Sequence, residues 1–499
     1  MKFAVPLRVL SLTVCFSLLV LAGCDSSGPN TQNQPPSVDV TVSSSTVDVG
    51  TQVTLDGSGT SDPNDDNLSY NWSLDAPSGS NASLSDVSAQ QPTFTPDVAG
   101  DYTATLDVSD GDATSSESTT ITAQSSTTEL SGTISSDSTL TADEDYLVTG
   151  TVEIEDGATL TIEPGTHLPF ESEAALNINS NSVLDANGTS SEPITMTATE
   201  GDEQQGWWGG VAIYSAEPNN RLNHVEIRHA GSEVPGLLAE GGGLAVAGDA
   251  SVTLTNATIA QSGTFGVYLD GTGAELDGFS NNTFSDNADA PVYVPFTSIG
   301  AIDGGSTFAD GTTVRIWGAT LSGSDATVTA LNGDTPYRFT DGSSDVGQDA
   351  TLTVDPGVEM RFASGVGLNV DDVASAVLSA DGSSENPIRM TATEGNEETG
   401  WWRGVAIYSG NANNLLDHVI IRHGGSDVPG LLAEGGGLAL AGGASVTLTN
   451  ATIAQSGTFG VYLDETGAEF DGFSNNSFSG NTDAPVYIPF TRIGAIDGG

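Results

Sequence analysis

Residues 206–305 return at 400–499 with a constant offset of 194 positions and 82 of 100 residues identical. A chain that repeats itself this closely builds one supersecondary unit twice, and each unit closes on itself or stacks on its neighbour. Upstream the correspondence loosens but persists. ATLTIEPG at 158–165 answers ATLTVDPG at 350–357, LNINSNSVL answers LNVDDVASAVL with two extra residues, and DYLV answers PYRF. The copies therefore run over 129–309 and 310–499.

Within each copy, short runs such as ATLTIEP, PITMTA, GVAIYS, HVEIRH, SVTLTNATI and FGVYLD place apolar residues at every second position. Gly, Asn, Asp and Ser separate them, at spacings too short for intervening helices. Coiling the chain so that equivalent strands stack ~4.8 Å apart buries all these faces together. A series of small sandwiches is the alternative, but the hairpin signals are poor. NATIAQSGTFGVYL resembles the repeat of right-handed parallel β-helices of the pectate-lyase type. The longer pattern, from LTIEPG through GWWGGVAIYS to LNHVEIRHAG, looks like uncharacterised β-helix repeat proteins of bacterial surfaces. The expected fold is all-β: an N-terminal β-sandwich, then a right-handed parallel β-helix in two tandem, highly similar units.

Asp and Glu number 66 against 11 Lys and Arg, a formal charge of −55. Lys2 is the only lysine, and nine arginines follow Arg8. Phosphate neutralisation needs a basic face, so a nucleic-acid partner is excluded from the expectations. The regular apolar alternation sets the chain apart from a disordered acidic tail. Such a surface repels itself in dilute buffer and is screened at molar salt, where the Debye length is about 3 Å. A halophilic origin is expected, with an ordinary acidic, calcium-binding secreted protein as the other reading.

The opening MKFAVPLRVLSLTVCFSLLVLAGC has a basic start, an apolar run over 9–21, then small residues and a cysteine. This is an export signal, too short for a comfortable membrane span, and DSSGPNTQNQPP after it reads as a polar tether. Leu21-Ala22-Gly23-Cys24 resembles the lipobox of bacterial lipoproteins. The resemblance implies cleavage after 1–23, diacylation of Cys24, a tether over 24–36 and a lipid-anchored partner membrane, outer membrane or cell surface. Asp25 bears on sorting by rules that differ between lineages. With Cys15 in the signal and Cys24 lipidated, no cysteine remains for a disulfide or a thiolate metal site.

Over 37–123 the runs VDVTV, TQVTLDG, LSYNWSL and DYTATLDVSDG alternate like the strands of a small sandwich. GSGTSDPNDDNLSYNWSL with AGDYTATLDVSDGDA is similar to the polycystic-kidney-disease (PKD) type of immunoglobulin-like domain. The resemblance implies a core role for Trp72 and a pinning role for Tyr102. Asp56, Asp62, Asp65 and Asp110 are candidate ligands of a calcium ion, the one cofactor the sequence leaves open. The same aspartates suit Asx-turns between short strands.

The paired tryptophans of GWWGGVAIYS (206–215) and GWWRGVAIYS (400–409) raise the question of a site. Alternation turns Val211 and Ile213 inward, and likewise Val225 and Ile227, leaving His224, Glu226 and Arg228 outward. Trp208 and Trp402, nearest the inward strand, are the core candidates. Trp207 and Trp401 are the candidate sugar-stacking faces, with Tyr214, His224 and Arg228, and Tyr408, His418 and Arg422, as hydrogen-bonding neighbours. His229 and His423 read as satisfied turn histidines rather than metal ligands. Glu240 and Glu434 suit a salt bridge or a cation.

The β-helix resemblance opens a polysaccharide lyase or glycoside hydrolase activity. A lyase needs acidic calcium ligands on adjacent rungs plus a basic proton acceptor, and a hydrolase needs two carboxylates across a cleft. Arg228 and Arg422 have no aspartate cluster on their strands, and Glu226 becomes Ile420 in the second copy. A near-identical duplication adds reach and avidity to a spacer or binder directly. The expected function is non-catalytic adhesion or contact with polysaccharide or surface proteins, with the enzyme and a purely structural stalk as alternatives. The sequence stops at AIDGG, where the first copy continues into STFADGTTV. A longer array or a covering partner is expected there, since an open β-helix end exposes strand edges.

Overall fold

The computed structural model describes residues 32–125, 127–232, 241–426, 435–464 and 467–489. Contacts divide the chain into two compact units, Met1–Ser125 and Ser126–Gly499. Both are built from strands, as the alternation predicts.

In the first unit, Thr41–Val42, Val53–Asp56 and Thr93–Phe94 form one sheet. Thr46–Asp48, Thr114–Gln124, Gly100–Ser109 and Ser69–Asp75 form the other. Val53, Leu55 and Phe94 from the first sheet meet Trp72, Tyr102, Leu106 and Ile121 from the second in one core. Trp72 is buried, and its indole N–H donates to the Ala89 carbonyl at 3.0 Å. The fully buried Tyr102 donates its hydroxyl proton to Val98 O at 2.9 Å. That bond ties the strand to the turn before it, as in a tyrosine corner.

The second unit is a parallel coil with three strand stacks per turn. In the first copy, face A holds His167–Phe170, Ile194–Ala198, Val225–Arg228, Thr258–Ala260, Thr283–Ser285 and Thr307–Phe308. Face B holds Ala175–Ile178, Gly210–Ile213, Leu244–Ala247, Phe265–Asp270 and Ala290–Pro295, and Val314–Trp317, near the start of the second copy, continues its stack. Face C holds Thr159–Ile162, Val183–Asn187, Arg221–Asn223, Ser251–Thr255 and Glu275–Ser280. Inward side chains from all three faces merge into one apolar core that continues through the second copy.

The corners are set by residue type. His224, Asn256 and Asn281 turn the chain from face C to face A with positive φ, and His229, Gln261 and Asp286 turn it from A to B. Asn, Asp and His are enriched in that left-handed region, which most other side chains avoid. Buried asparagines then bridge successive turns. Asn220 accepts from Leu184 N at 2.9 Å and donates to Glu217 O at 2.9 Å, and Asn282 links Ala257 N to Leu254 O. These side-chain amides satisfy backbone groups that a corner leaves without ladder partners.

The two copies do not stack face on face. Face B of the first copy passes through Val314–Trp317 to Tyr337–Asp341, then Glu359–Phe362 and Ile388–Ala392. By the 194-residue offset Ile388–Ala392 is the equivalent of Ile194–Ala198, a face A strand. The face A stack of the second copy therefore continues the face B stack of the first, while Ala326–Val328, at the head of the second copy's face C stack, packs on Phe296–Ala301, which packs on Glu275–Ser280 of face C.

Candidate functional site

The duplicated tryptophan segment occupies the corner between faces A and B. Gly206 has φ +68°, and a Cβ built on Gly263 would stand 2.8 Å from its Cα; Gly400 and Gly457 repeat this approach. The glycines let adjacent turns of backbone touch, which is a packing role.

Trp208 enters the core and is fully buried, its ring stacked on Phe170 at 3.9 Å and 15°. Trp402 stacks on Phe362 at 4.1 Å and 7°. The indole N–H groups donate to Arg228 O and Arg422 O, each at 2.7 Å. Trp207 and Trp401 are half-buried and pack against the core from outside. One ring of each pair is structural and the other reaches the surface.

His229 and His423 close the same corners. Each is buried, in the left-handed region, with Nδ1 3.0 Å from a threonine hydroxyl, Thr197 or Thr391. Burial pushes both imidazoles below the ordinary histidine range, and Arg228 or Arg422 adds to it against the pull of Glu203 or Glu397. The unfolded chain thus takes up protons first as pH falls. The stability this contributes is fully present well above the unfolded histidine value of about 6.5 and declines as pH falls through and below it. His229→Asn with His423→Asn, which keeps a residue suited to positive φ, is expected to flatten that decline in thermal unfolding. An unchanged slope would show that the histidines do not set it.

The remaining candidates are spread around the coil. Arg228 ends face A beside the tryptophan corner, in a half-exposed pair with Glu226 at 3.2 Å. Such a pair contributes little to stability. Tyr214 lies past the far end of face B; burial first, then Glu153 and Asp270, pushes its phenol up. Tyr408 repeats this beside Asp464, Asp345 and Asp371. His224 is a C-to-A corner residue, and His418 there has Nδ1 2.9 Å from Asp417. The structure brings Trp207 and Arg228 to one corner and places Tyr214 and His224 at two others. Arg422 ends the equivalent strand of the second copy, beside the Trp401 corner.

In the first unit, Asp56 accepts from Ser58 N at 2.8 Å and Asp62 from Asn64 N at 2.7 Å. Asp110 accepts from Asp112 N, Ala113 N and Asn33, and Asp65 sits at φ +64°. Hydrogen bonds from Ser58 and from the Ala113 backbone hold Asp56 and Asp110 below the usual carboxylate range. Asp56, Asp62 and Asp110 thus serve as turn acceptors. Among the described residues no group of three or more His, Cys, Asp or Glu is placed to hold a metal ion. Cys24, Asp25, Glu240, Glu434 and the AIDGG end lie outside the described residues.

One cluster is not apparent from the sequence. Arg315, Arg338 and Arg361 pair in register on three successive turns. Their signal is an arginine between two apolar residues, in VRI, YRF and MRF, recurring every 23 residues.

Residues 132–280 match the family model described as pectate-lyase like beta helix domain, and residues 41–123 match a family model of the PKD domain. No curated protein matches. Among solved structures, a nucleoside hydrolase-related hypothetical protein from Saccharophagus degradans, described as associated with carbohydrate metabolism, is 30% identical over 18% of this chain, with a TM-score of 0.17. The match covers 26% of that chain. Over the matched residues the chain is similar to a PKD domain followed by a pectate-lyase-like β-helix.

Proposed function

We propose that this is an exported, lipid-anchored surface protein whose β-helix contacts polysaccharide without cleaving it. The two family matches support a surface or carbohydrate-related protein. The lipobox-like Leu21-Ala22-Gly23-Cys24 supports the anchor. The observation that carries the contact role is the tryptophan corner, built twice with one ring committed to the core and Trp207 or Trp401 left at the surface. An aromatic face held by a rigid rung is a preorganised platform for a sugar ring.

The stacking of the copies shapes how this binding adds up. Seven steps along one stack lead from Gly210–Ile213 to Ile388–Ala392, roughly 34 Å at ~4.8 Å per step. The two corners also lie at opposite edges of that stack. A sugar chain lying along the axis meets one corner, so duplication supplies two sites for two chains rather than avidity for one. Trp207→Ala or Trp401→Ala is expected to halve the stoichiometry of neutral-glycan binding with little change in affinity, and the double variant to abolish it. A titration in which the folded double variant binds like the parent would leave the stalk reading, and fragments in the mixture would turn attention to an enzyme.

A further inference from the structure

We propose that Arg338, flanked by Arg315 and Arg361, forms an oxyanion-binding stripe that takes the carboxylate or sulfate groups of an acidic polysaccharide. The three arginines occupy one column of successive turns, Arg315 opposite Arg338 and Arg338 opposite Arg361. They are three of the nine arginines that follow Arg8, in a chain with 66 acidic residues. Random placement of so few cations would scatter them among the acids, and like charges directly opposite on a sheet oppose folding.

Their local partners leave the centre of the column unmatched. Arg361 is held by Glu359 at 2.5 Å and Glu394 at 3.0 Å. Arg315 donates to the Asp289 carbonyl at 3.0 Å and lies over the Phe265 ring. Among the described residues Arg338 has neither a carboxylate within salt-bridge distance nor a hydrogen bond from its guanidinium. The Nε atoms of Arg315 and Arg338 are both buried and unpartnered. An unmatched buried donor is rare in a folded chain, and a planar fork of donors suits an oxyanion in a two-pronged bond. The column lines a concave surface with Asn287, Thr313 and Thr393, polar neighbours for a sugar backbone, and with two acids, Asp289 and Glu394, of which Glu394 is paired with Arg361.

The spacing selects an extended ligand. Adjacent turns set the arginines ~4.8 Å apart, so anionic groups repeating at about one or two turns fall on the stripe in register. In the first copy Leu147 and Pro169 stand at the positions equivalent to Arg338 and Arg361, so the stripe belongs to the second copy alone. The inference rests on the proposed polysaccharide contact only for the class of ligand; the residues and the face are different.

The test is a titration of the mature protein with dextran sulfate, with unsulfated dextran of the same length, and with sodium sulfate, in the lowest salt that preserves its near-ultraviolet circular dichroism. Dextran sulfate is expected to bind, Arg338→Gln to weaken it by about tenfold or more, and Arg338→Lys to weaken it less, since lysine keeps the charge but loses the fork. Arg315→Gln should act in the same direction, and Arg221→Gln, on face C and paired with Asp185, should have no effect. Folded Arg338→Gln and Arg315→Gln variants that bind dextran sulfate like the parent would overturn the proposal. Sulfate ion binding as tightly as the polymer, per charge, would reduce the stripe to a small-anion pocket and overturn the polysaccharide assignment. Self-association lost in Arg338→Gln, without polymer binding, would replace the ligand by a second copy's acidic face. A folded Trp207→Ala, Trp401→Ala double variant that binds glycan like the parent, with the arginine effects intact, would sink the tryptophan reading and leave this one standing.

Discussion

Trp208→Ala is expected to destabilise the β-helix by about 3–5 kcal/mol, and Trp402→Ala by a similar amount. Each ring is fully buried and stacked on a phenylalanine of the preceding turn, Phe170 or Phe362. Removal leaves a cavity between turns, and the Arg228 or Arg422 carbonyl loses the indole N–H that satisfies it. An orphaned buried acceptor adds ~1–3 kcal/mol to the cost of the lost packing. Because each turn of a solenoid touches only its neighbours, the damage should be centred on the altered rung. Hydrogen exchange is then expected to speed up first in Val225–Arg228 for Trp208→Ala and in Val419–Arg422 for Trp402→Ala. Trp207→Ala, a half-buried ring packed from outside, should cost only about 1 kcal/mol. Equal losses for Trp207→Ala and Trp208→Ala in denaturant unfolding would contradict the division of labour within the pair.

Gly210→Ala and Gly404→Ala are the second pair of large effects. Both glycines have left-handed φ, +99° and +91°. A Cβ on Gly210 would fall on the Gly242 carbonyl oxygen, and one on Gly404 would stand 2.5 Å from Gly436 O and 2.7 Å from Gly437 O. These neighbours are backbone and cannot rotate away, so the rung must shift. Strain from φ alone costs roughly 1–2 kcal/mol. Overpacking adds about 1–3 kcal/mol, for a total of roughly 2–5 kcal/mol. Gly248 separates the two effects: its φ is +67°, and nothing lies within 4 Å of an added Cβ. Gly248→Ala is expected to show only the φ cost. If Gly210→Ala melted with Gly248→Ala, close backbone approach would not be the reason for the glycine-rich corner.

The alternation makes the fold legible. Val211, Ile213, Val225 and Ile227 are all in the core, as the two-residue period requires. Trp72 and Tyr102 are identifiable through the resemblance of their segment to PKD-type domains, which implies a core role for the one and a pinning role for the other. Alternation separates inside from outside but does not say which of three faces a residue joins. Tyr214 and His224 therefore read as neighbours of Trp207 while the coil sends them to other corners. His224 and His229 look like an outward strand residue and a turn residue, and their shared property, a left-handed corner, shows only in the backbone. The passage of the first copy's face B into the second copy's face A is also illegible. It arises around Phe296–Ala301 and Val314–Trp317, where pairing rather than sequence similarity sets the stacking. The arginine column depends on that pairing, so its 23-residue spacing carries no meaning until the register is known.

Contact with polysaccharide without cleavage is tested most directly by incubating the folded protein at molar salt, with and without calcium, with a panel of acidic and neutral polysaccharides. Bound protein is then measured alongside soluble sugar fragments by mass spectrometry. Binding to at least one polysaccharide with no fragments above a protein-free control is the predicted result. Release of fragments that scales with protein concentration would contradict it and make the β-helix surface that of an enzyme.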